Sequence, residues 1–180
     1  MKKSSAILFA LLGLPGLVSQ ALAANNGTIN FSGTVTSMTC DVRLNGQENE
    51  SAVLLPPVSQ EQLKTASWTA GRTAFELKLN NCQGVMKSAA AYFEAGAGVD
   101  SSGRLRNTGS ASNVVLQLRE GSGSFNPIVA GNPSQIANAT YYAIPSTGIV
   151  TLPYVVEYYS MGVASAGSVV GSVVYSLQYK

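Results

Sequence analysis

The last fourteen residues of the chain, 167–180, alternate between an apolar face and a mostly polar face, on which Val170 and Val174 are the apolar exceptions. Such a period of two indicates a β-strand with one apolar face. A chain terminus is ordinarily the frayed part of a domain, so an apolar strand at this position needs cover from this molecule or from another. The residues on the apolar face are Gly167, Val169, Gly171, Val173, Tyr175, Leu177 and Tyr179.

The first 23 residues have the features of an export signal. Two lysines near the start precede an apolar stretch from Ala6 to Val18, and Ala21-Leu22-Ala23 fits a small-x-small cleavage site. A membrane anchor is the alternative, but the apolar stretch is shorter than the roughly 20 residues of a spanning helix. We therefore expect residues 1–23 to be a signal peptide, and the product to be exported.

The charge balance argues against a polyanionic partner. The chain has 11 basic residues, 9 acidic residues and no histidine. Without Lys2 and Lys3 the basic and acidic residues are equal in number. No basic patch with nucleic-acid character remains, so no nucleic-acid partner is expected.

Cys40 and Cys82 are the two cysteines of the chain. In an exported protein they are expected to form a disulfide. A metal pair or a redox site is the alternative, but the chain lacks histidine and a Cys-x-x-Cys motif. In the chain-entropy model, a disulfide between residues 42 apart raises the free energy of unfolding by about 4 kcal/mol.

The remainder of the chain has the pattern of an all-β domain. Short alternating or β-branched segments are separated by Gly, Ser, Asn and Pro clusters, which is typical of an antiparallel sandwich or barrel. Two Gly/Ser-rich stretches, 95–112 and 121–133, are expected to be exposed loops. A single helical turn through Thr65 is predicted from Ser59 and Gln62. The predicted strands are Thr28–Met38, Ala52–Leu55, Thr73–Asn80, Ala89–Glu94, Asn113–Arg119, Ile149–Tyr159 and Ser168–Tyr179.

Catalytic and cofactor motifs are not found in the sequence. Without histidine, Ser-His and Cys-His catalysis and His-ligated zinc are excluded. Asp41, Glu48 and Glu50 are close in sequence, but a polar Asn-Gly-Gln composition favours a solvated loop after the first strand over a carboxylate site. We therefore expect neither an enzyme nor a cofactor or metal.

The segment just after the predicted signal also alternates. Ile29, Phe31, Gly33 and Val35 share one face, and Ser, Thr and Asn occupy the other. Either terminal strand alone could pair within its own sheet. Apolar strands at both ends of one exported all-β domain are a more specific signal of pairing between molecules.

In four ordered motifs the chain resembles the pilins of the bacterial chaperone-usher pathway, in particular the type 1 fimbrial subunits. The resemblance covers residues 24–180. The first motif is the Gly27–Val35 segment leading to Cys40, and the second is Phe75–Cys82. The third spans Leu105 to Leu118, and the fourth places Gly167 fourteenth from the end and Tyr179 penultimate.

This resemblance implies an incomplete immunoglobulin-like sandwich that lacks its final strand and is completed by a donor strand from another subunit. It implies a donor-strand extension at 24–37 and a pilin domain at 38–180. The implied partners are neighbouring subunits, a periplasmic chaperone and an outer-membrane usher, and the implied location is a surface fimbria that contributes to cell adhesion. The donor residues would be Ile29, Phe31, Gly33 and Val35, while Gly167 through Tyr179 would carry the groove and chaperone recognition.

Two other hypotheses remain open from the sequence. A minor tip or adaptor subunit, or a single-domain adhesin, would use exposed aromatic side chains to bind a receptor, although core packing is the favoured interpretation of those side chains. An exported enzyme or ligand-binding protein would need a carboxylate-lined pocket. The tyrosines of the adhesin hypothesis are Tyr141, Tyr142, Tyr154, Tyr158 and Tyr159.

Overall fold

The computed structural model describes residues 30–33, 39–46 and 52–180. The chain divides into two units, residues 1–34 and 35–180, and the fold below is that of the second. The predicted signal peptide and most of the predicted strand Thr28–Met38 lie outside the described residues. Within the described ranges, no helix has the length and apolar character needed to cross a membrane.

The second unit is built almost entirely from strands. Its helical elements in the described residues are a 3-10 turn at Gln60–Leu63 and the short helix α1 at Ser134–Asn138. The strands are β1 (Thr39–Leu44), β2 (Thr69–Gln83), β3 (Ser88–Phe93), β4 (Val114–Glu120), β5 (Tyr142–Ala143), β6 (Val150–Ser160) and β7 (Tyr175–Tyr179).

The strands form two antiparallel sheets. In the described part of the chain, one sheet has the order β1-β2-β6-β4 and the other has the order β5-β3-β7. The long strands β2 and β6 pair from Thr69 opposite Tyr159 to Leu79 opposite Val150. In the smaller sheet, β3 pairs with β7 from Ala89 opposite Tyr179 to Phe93 opposite Tyr175.

The core lies between the two sheets, because each contributes one apolar face. Leu79 and Leu152 of the larger sheet have no exposed surface. Tyr154 crosses the interface and contacts Phe93 edge to face, with 5.1 Å between the ring centroids. Such aromatic contacts add about 0.5 to 1.5 kcal/mol to the free energy of burial.

The outer face of the larger sheet contains a buried carboxylate. Glu157 is 1% exposed and accepts hydrogen bonds from Nε of Arg72 at 2.8 Å and Nε of Arg119 at 2.5 Å. A carboxylate removed from water needs such partners, because an unpaired buried charge is strongly destabilising. The two arginines therefore tie β2, β4 and β6 together.

The predicted strands agree with the structure in the middle of the chain and differ elsewhere. The strands at 73–80, 89–94, 113–119 and 149–159 are found, and β2 is longer than predicted. Residues 52–55 form no strand, although Val53 and Leu55 are half-buried while Leu54 is 88% exposed. This segment keeps its alternation but has no ladder partner among the described residues. The prediction of a strand there is wrong because alternation reports burial, whereas a strand also needs a neighbour.

Two further sequence expectations need correction. Asp41 does not lie in a loop, because it belongs to β1, where Val42 and Leu44 pack against the core; Glu48 and Glu50 lie outside the described residues. The stretches 95–112 and 121–133 are only partly exposed. They cover the edge of β4, and their buried side chains are Leu105, Ala111, Ile128 and Ala130.

The predicted helical turn is confirmed. The 3-10 turn follows Ser59, whose backbone N–H donates to Oε1 of Gln62 at 2.9 Å. The two residues form the capping box that their spacing indicates.

Candidate functional site

The terminal segment 167–180 lies at one edge of the three-stranded sheet. Its last part is β7, for which the described residues provide one neighbouring strand, β3. The predicted strand Ser168–Tyr179 is therefore confirmed only over 175–179. The preceding residues are extended beside loops rather than beside a strand, and a loop does not form a regular ladder.

Residues 168–174 are nevertheless attached on the β3 side. The loop residues Thr108 and Ala111 donate backbone N–H groups to the carbonyls of Val170 and Ser168, at 2.8 and 3.0 Å. The N–H of Val170 donates to Oδ1 of Asn107 at 2.8 Å. Glu94 donates its N–H to the carbonyl of Val174 at 2.8 Å. One side of the whole segment is thus occupied.

Glycine makes this close approach possible at several places, of which Gly167 and Gly98 are examples. Gly167 has a φ of +152°, and a Cβ there would lie 2.5 Å from the amide nitrogen of Ala111. A Cβ on Gly98 would lie 2.9 Å from the carbonyl oxygen of Ser172. Larger residues at either position would push the terminal segment away from its loop.

The other side of the segment is open. Lys180 and Ser88 exchange two backbone hydrogen bonds, at 3.0 and 2.9 Å, so alternate residues along β7 bond to β3 and the intervening ones point away. Those intervening residues are the odd-numbered ones from 167 to 179, and the structure gives their backbone groups no hydrogen-bond partner within the described residues. We call this row of free N–H and C=O groups the open edge.

The same odd-numbered residues direct their side chains toward the core. Val169, Val173, Leu177 and Tyr179 are half-buried and pack against the core, while Tyr175 is 38% exposed. On the opposite face, Val170 and Val174 are 55% and 72% exposed. A segment with inward apolar side chains and free backbone groups has the two features to which an added strand binds.

The electrostatics of the open edge suit an uncharged partner. No residue from 167 to 179 is charged. Burial raises the pKa of both Tyr175 and Tyr179, which moves their ionisation still further above physiological pH. Within the described residues, no group of three or more potential metal ligands was found.

The four predicted donor residues are only partly described. Phe31 is 90% exposed, Gly33 is also exposed, and residues 30–33 form no strand. Ile29 and Val35 lie outside the described residues. The structure therefore leaves the donor role as a prediction.

The outer side of β3, which is the other edge of the same sheet, is covered. We call residues 88–93 on this side the closed edge. The short strand β5 pairs with Ser88 and Ala89. Beyond β5, the N–H of Ala91 donates to the hydroxyl of Tyr154 at 2.8 Å, and the N–H of Phe93 donates to Oε1 of Gln135 at 3.1 Å.

Sequence reasoning did not identify Gln135 or Tyr154 as edge residues. Gln135 lies in α1, a helix too short to give a periodic signal. Asn132-Pro133 ahead of it was the available sign of a turn into a helix. Tyr154 was considered only as one of several tyrosines, and its partner on β3 is 63 residues away in sequence.

The disulfide prediction is confirmed. Cys40 of β1 is bonded to Cys82 of β2, with a sequence separation of 42. The bond joins two neighbouring strands of the larger sheet, away from β7. It therefore stabilises the domain without contributing to the open edge.

The tyrosines of the adhesin hypothesis are mostly used in packing. Tyr154 is 1% exposed, and Tyr142 and Tyr158 pack against the core. Tyr141 and Tyr159 are partly exposed, but the ring of Tyr141 lies 3.7 Å from the Lys180 ammonium and the ring of Tyr159 lies 3.8 Å from the Arg104 guanidinium. The described tyrosines do not form an exposed aromatic cluster.

These features define a class of protein, an incomplete β-sandwich with one strand edge left free. Solved structures share the fold. The P pilus rod subunit PapA matches with a TM-score of 0.57 at 12% identity, covering 78% of this chain and 99% of that one. A subunit of a chaperone-usher pilus matches with a TM-score of 0.57 at 14% identity, covering 90% of this chain and all of that one.

Sequence comparison gives the family. The model of the type-1 fimbrial protein family, FimA, matches residues 55–180. Major fimbrial subunit SMF-1 of Stenotrophomonas maltophilia is 39% identical over 170 residues, which are 91% of this chain and 99% of the relative. The F17 fimbrial protein of Escherichia coli is 35% identical over 97% of this chain and 98% of its own length.

The chain belongs to the type-1 fimbrial protein family and is a structural pilin. The sequence-based expectation of an incomplete immunoglobulin-like sandwich is confirmed. The family consists of structural subunits rather than enzymes.

Proposed function

We propose that this pilin polymerises by donor-strand exchange into a fimbria on the cell surface. Residues 24–37 of one subunit supply the donor strand, and the open edge of the next subunit receives it. Before assembly a periplasmic chaperone occupies the open edge, and an outer-membrane usher is the place where donor replaces chaperone. Pilin strand complementation is an established example of recognition by strand addition, and the proposal assigns residues of this chain to it.

The observation that carries the proposal is that the same residues have both unpaired backbone groups and side chains that face the core. The odd-numbered residues from 167 to 179 have N–H and C=O groups on one edge that no other described residue bonds, and their side chains form an incompletely covered part of the core. An added strand would pair with the former and cover the latter. Gly167 and Tyr179 mark the limits of this proposed acceptor site.

The donor segment has matching properties. Residues 24–37 reach roughly 45 Å when extended, enough to run along a domain. Burial of Ile29, Phe31 and Val35 offers about 5 to 9 kcal/mol before ordering costs. Gly33, on the same face, would allow the two backbones to approach closely. Because the contact is head-to-tail and does not close, the product is a filament.

Fibre assembly in cells tests the donor assignment. Phe31→Asp places a charge on the apolar face of the donor and should abolish fibres seen by electron microscopy. Ser32→Asp is the matched control, since it adds the same charge to the neighbouring residue on the opposite face. Fibres of normal length from Phe31→Asp cells, or equal loss from both variants, would contradict the proposal.

A second substitution separates incorporation from chaperone binding. Gly33→Leu should block fibre formation because the donor can no longer approach the acceptor strand. The variant should still co-purify with the chaperone, which binds the open edge rather than the donor. Ser32→Leu is the control for side-chain size. Loss of chaperone binding together with fibre formation in Gly33→Leu would refute this division of roles.

A further inference from the structure

The closed edge of the three-stranded sheet is protected partly by side chains. β5 covers only Ser88 and Ala89. Two more residues on this side, Ala91 and Phe93, would present free backbone N–H groups if no side chain reached them. An exposed row of such groups accepts strands from other molecules, and this chain has a strand-like donor segment at its other end.

Gln135 replaces the missing strand at Phe93. Its side-chain amide offers one acceptor and two donors, much as a peptide group offers one of each. The N–H of Phe93 donates to Oε1 of Gln135 at 3.1 Å, and Nε2 of Gln135 donates to the carbonyl of Phe93 at 3.0 Å. That carbonyl also accepts from the N–H of Gly131 at 2.8 Å. Gln135 is 7% exposed, so water does not compete for these bonds.

Tyr154 satisfies the backbone N–H of Ala91 in the same way, and its side chain reaches Ala91 from inside the sandwich. Its hydroxyl accepts the N–H of Ala91 at 2.8 Å, and the whole residue is 1% exposed. Tyr154 belongs to β6 of the opposite sheet. Burial raises its pKa still further above physiological pH, so the hydroxyl is protonated.

The surroundings of these two side chains are not fully packed. A surface cavity of about 430 Å³ lies beside this part of β3, and its lining includes Ala91, Glu120 and Gln135. The helix that carries Gln135 has five residues and no side-chain cap at Pro133. Helices of this length are held by their tertiary contacts rather than by their own hydrogen bonds. Much of what covers the closed edge therefore depends on Gln135.

We propose that Gln135 and Tyr154 keep the closed edge from accepting the N-terminal segment of a second copy of this chain. Each subunit then has one acceptor edge, and assembly is linear rather than branched. This inference rests on the proposed function, because it assumes that the segment 27–37 is a competent donor strand. Gln135 and Tyr154 act on the closed edge only, and the acceptor site on the open edge keeps the role proposed above.

The number of donor peptides bound per chain tests the acceptor role of the open edge and the protection of the closed edge separately. The full chain is refolded with an excess of a synthetic peptide that has the sequence of residues 27–37, and native mass spectrometry gives the stoichiometry. We expect one peptide on the unaltered chain and two on Gln135→Ala, on Tyr154→Phe and on the double variant. Gln117→Ala is the matched control and should bind one.

Gln117 is a suitable control because its environment resembles that of Gln135. It is 4% exposed, and its Nε2 donates to the carbonyls of Leu118 and Ile128 at 2.9 and 3.0 Å. It lies on β4, where backbone groups of the 126–128 stretch cover the edge. Its loss removes a similar volume and similar hydrogen bonds without exposing a strand edge.

The outcomes are distinct. An unaltered chain that binds no peptide contradicts the proposed function. If the three edge variants each bind one peptide more than the unaltered chain, the protective role of Gln135 and Tyr154 is still supported. Edge variants that bind the same number as the unaltered chain and Gln117→Ala overturn the inference.

Hydrogen exchange on the unaltered chain gives a test that does not depend on the folding of any variant. Excess peptide should slow the exchange of amides in 167–179 and leave those of 88–93 unchanged. Peptide-induced protection of Ala91 and Phe93 would show that the edge accepts a strand despite Gln135 and Tyr154, which would also overturn the inference.

Discussion

The two edges of the three-stranded sheet differ in how their backbone groups are satisfied. On the closed edge, a two-residue strand and two buried side chains take up the N–H groups of residues 89, 91 and 93. On the open edge, the odd-numbered residues from 167 to 179 have no backbone partner among the described residues. Both edges belong to one sheet over one core, so the free edge is not a sign of a poorly formed domain.

The contrast indicates that an unfilled strand position can be a specific feature of a fold. Buried backbone groups in folded proteins are almost always paired, and this chain meets that rule on one edge with side chains drawn from β6 and α1. Among the described residues, no such side chain reaches the open edge. Filling that edge should therefore change the stability cost of substitutions near β7 and leave the cost of distant substitutions unchanged.

The largest expected effect is a difference in the stability cost of truncating two leucines, Leu177 beside the open edge and Leu79 in the core. A supplemented chain is made by attaching a copy of residues 27–37 after Lys180 through a flexible linker. Leu177→Ala should cost about 2 to 5 kcal/mol in the supplemented chain, where the leucine is fully covered, and clearly less in the chain alone. Leu79→Ala should cost that much in both, because Leu79 is already 0% exposed. Urea unfolding of the four variants measures the difference.

Equal losses in the free energy of unfolding for Leu177→Ala with and without the added strand would contradict this difference between the two edges. They would mean that the added segment does not cover the inward face of β7.

The disulfide comes next in expected size. Cys40→Ala with Cys82→Ala should lower the free energy of unfolding by about 4 kcal/mol in the chain-entropy model. The bond lies between β1 and β2, so this cost should be the same in the supplemented chain and in the chain alone. Chemical denaturation of both forms is the measurement. A cost that depends on the added strand would show that the larger sheet is coupled to the open edge.

Removing the side chains of the closed edge should have a moderate effect. Gln135→Ala and Tyr154→Phe each leave a backbone N–H without a partner, at about 1 to 3 kcal/mol apiece. Hydrogen exchange should become faster at Phe93 in the first variant and at Ala91 in the second. Unchanged exchange at both amides would mean that neither side chain protects the edge.

The smallest expected effect concerns pH. Burial raises the pKa of Glu120 above its ordinary value of 4.5, despite hydrogen bonds to Thr140 that lower it. The unfolded chain thus releases this proton at lower pH than the folded chain does. Stability should consequently fall as pH rises through the ordinary value, and it should level off above the folded pKa.

Glu120→Gln should remove this loss. The variant should match the unaltered chain at pH 3 and be the more stable of the two at pH 8, as measured by thermal unfolding. Glu61→Gln is the control for loss of a carboxyl at an exposed position, because the Glu61 side chain is 80% exposed. A lower stability of Glu120→Gln at pH 8 would contradict this account of the carboxyl.

Much of the fold could be predicted from the sequence because alternation reports which face of a strand is buried. Segments such as 89–94 and 149–159 were found for this reason, and the cysteine pairing followed from the count and the compartment. The terminal segment shows the limit of the method. Its alternation is real over 168–174, yet the neighbour there is the loop at 107–111, which no local pattern indicates.

The site was predictable to the same extent. The odd-numbered face of 167–179 was identified from the sequence, while the open edge required knowledge of which residues bond to β3. The closed edge could not be predicted, since Gln135 and Phe93 are 42 residues apart and only the folded chain brings them together. The donor role of Ile29, Phe31, Gly33 and Val35 stays a prediction.

The stability of the supplemented chain shows whether the open edge accepts the donor strand. Its control is the same chain with aspartate at the four appended positions that correspond to Ile29, Phe31, Gly33 and Val35. We expect the supplemented chain to be monomeric and more stable than both the control and the chain alone by several kcal/mol in urea unfolding. If all three unfold at the same urea concentration, the open edge does not accept this strand and the account is wrong.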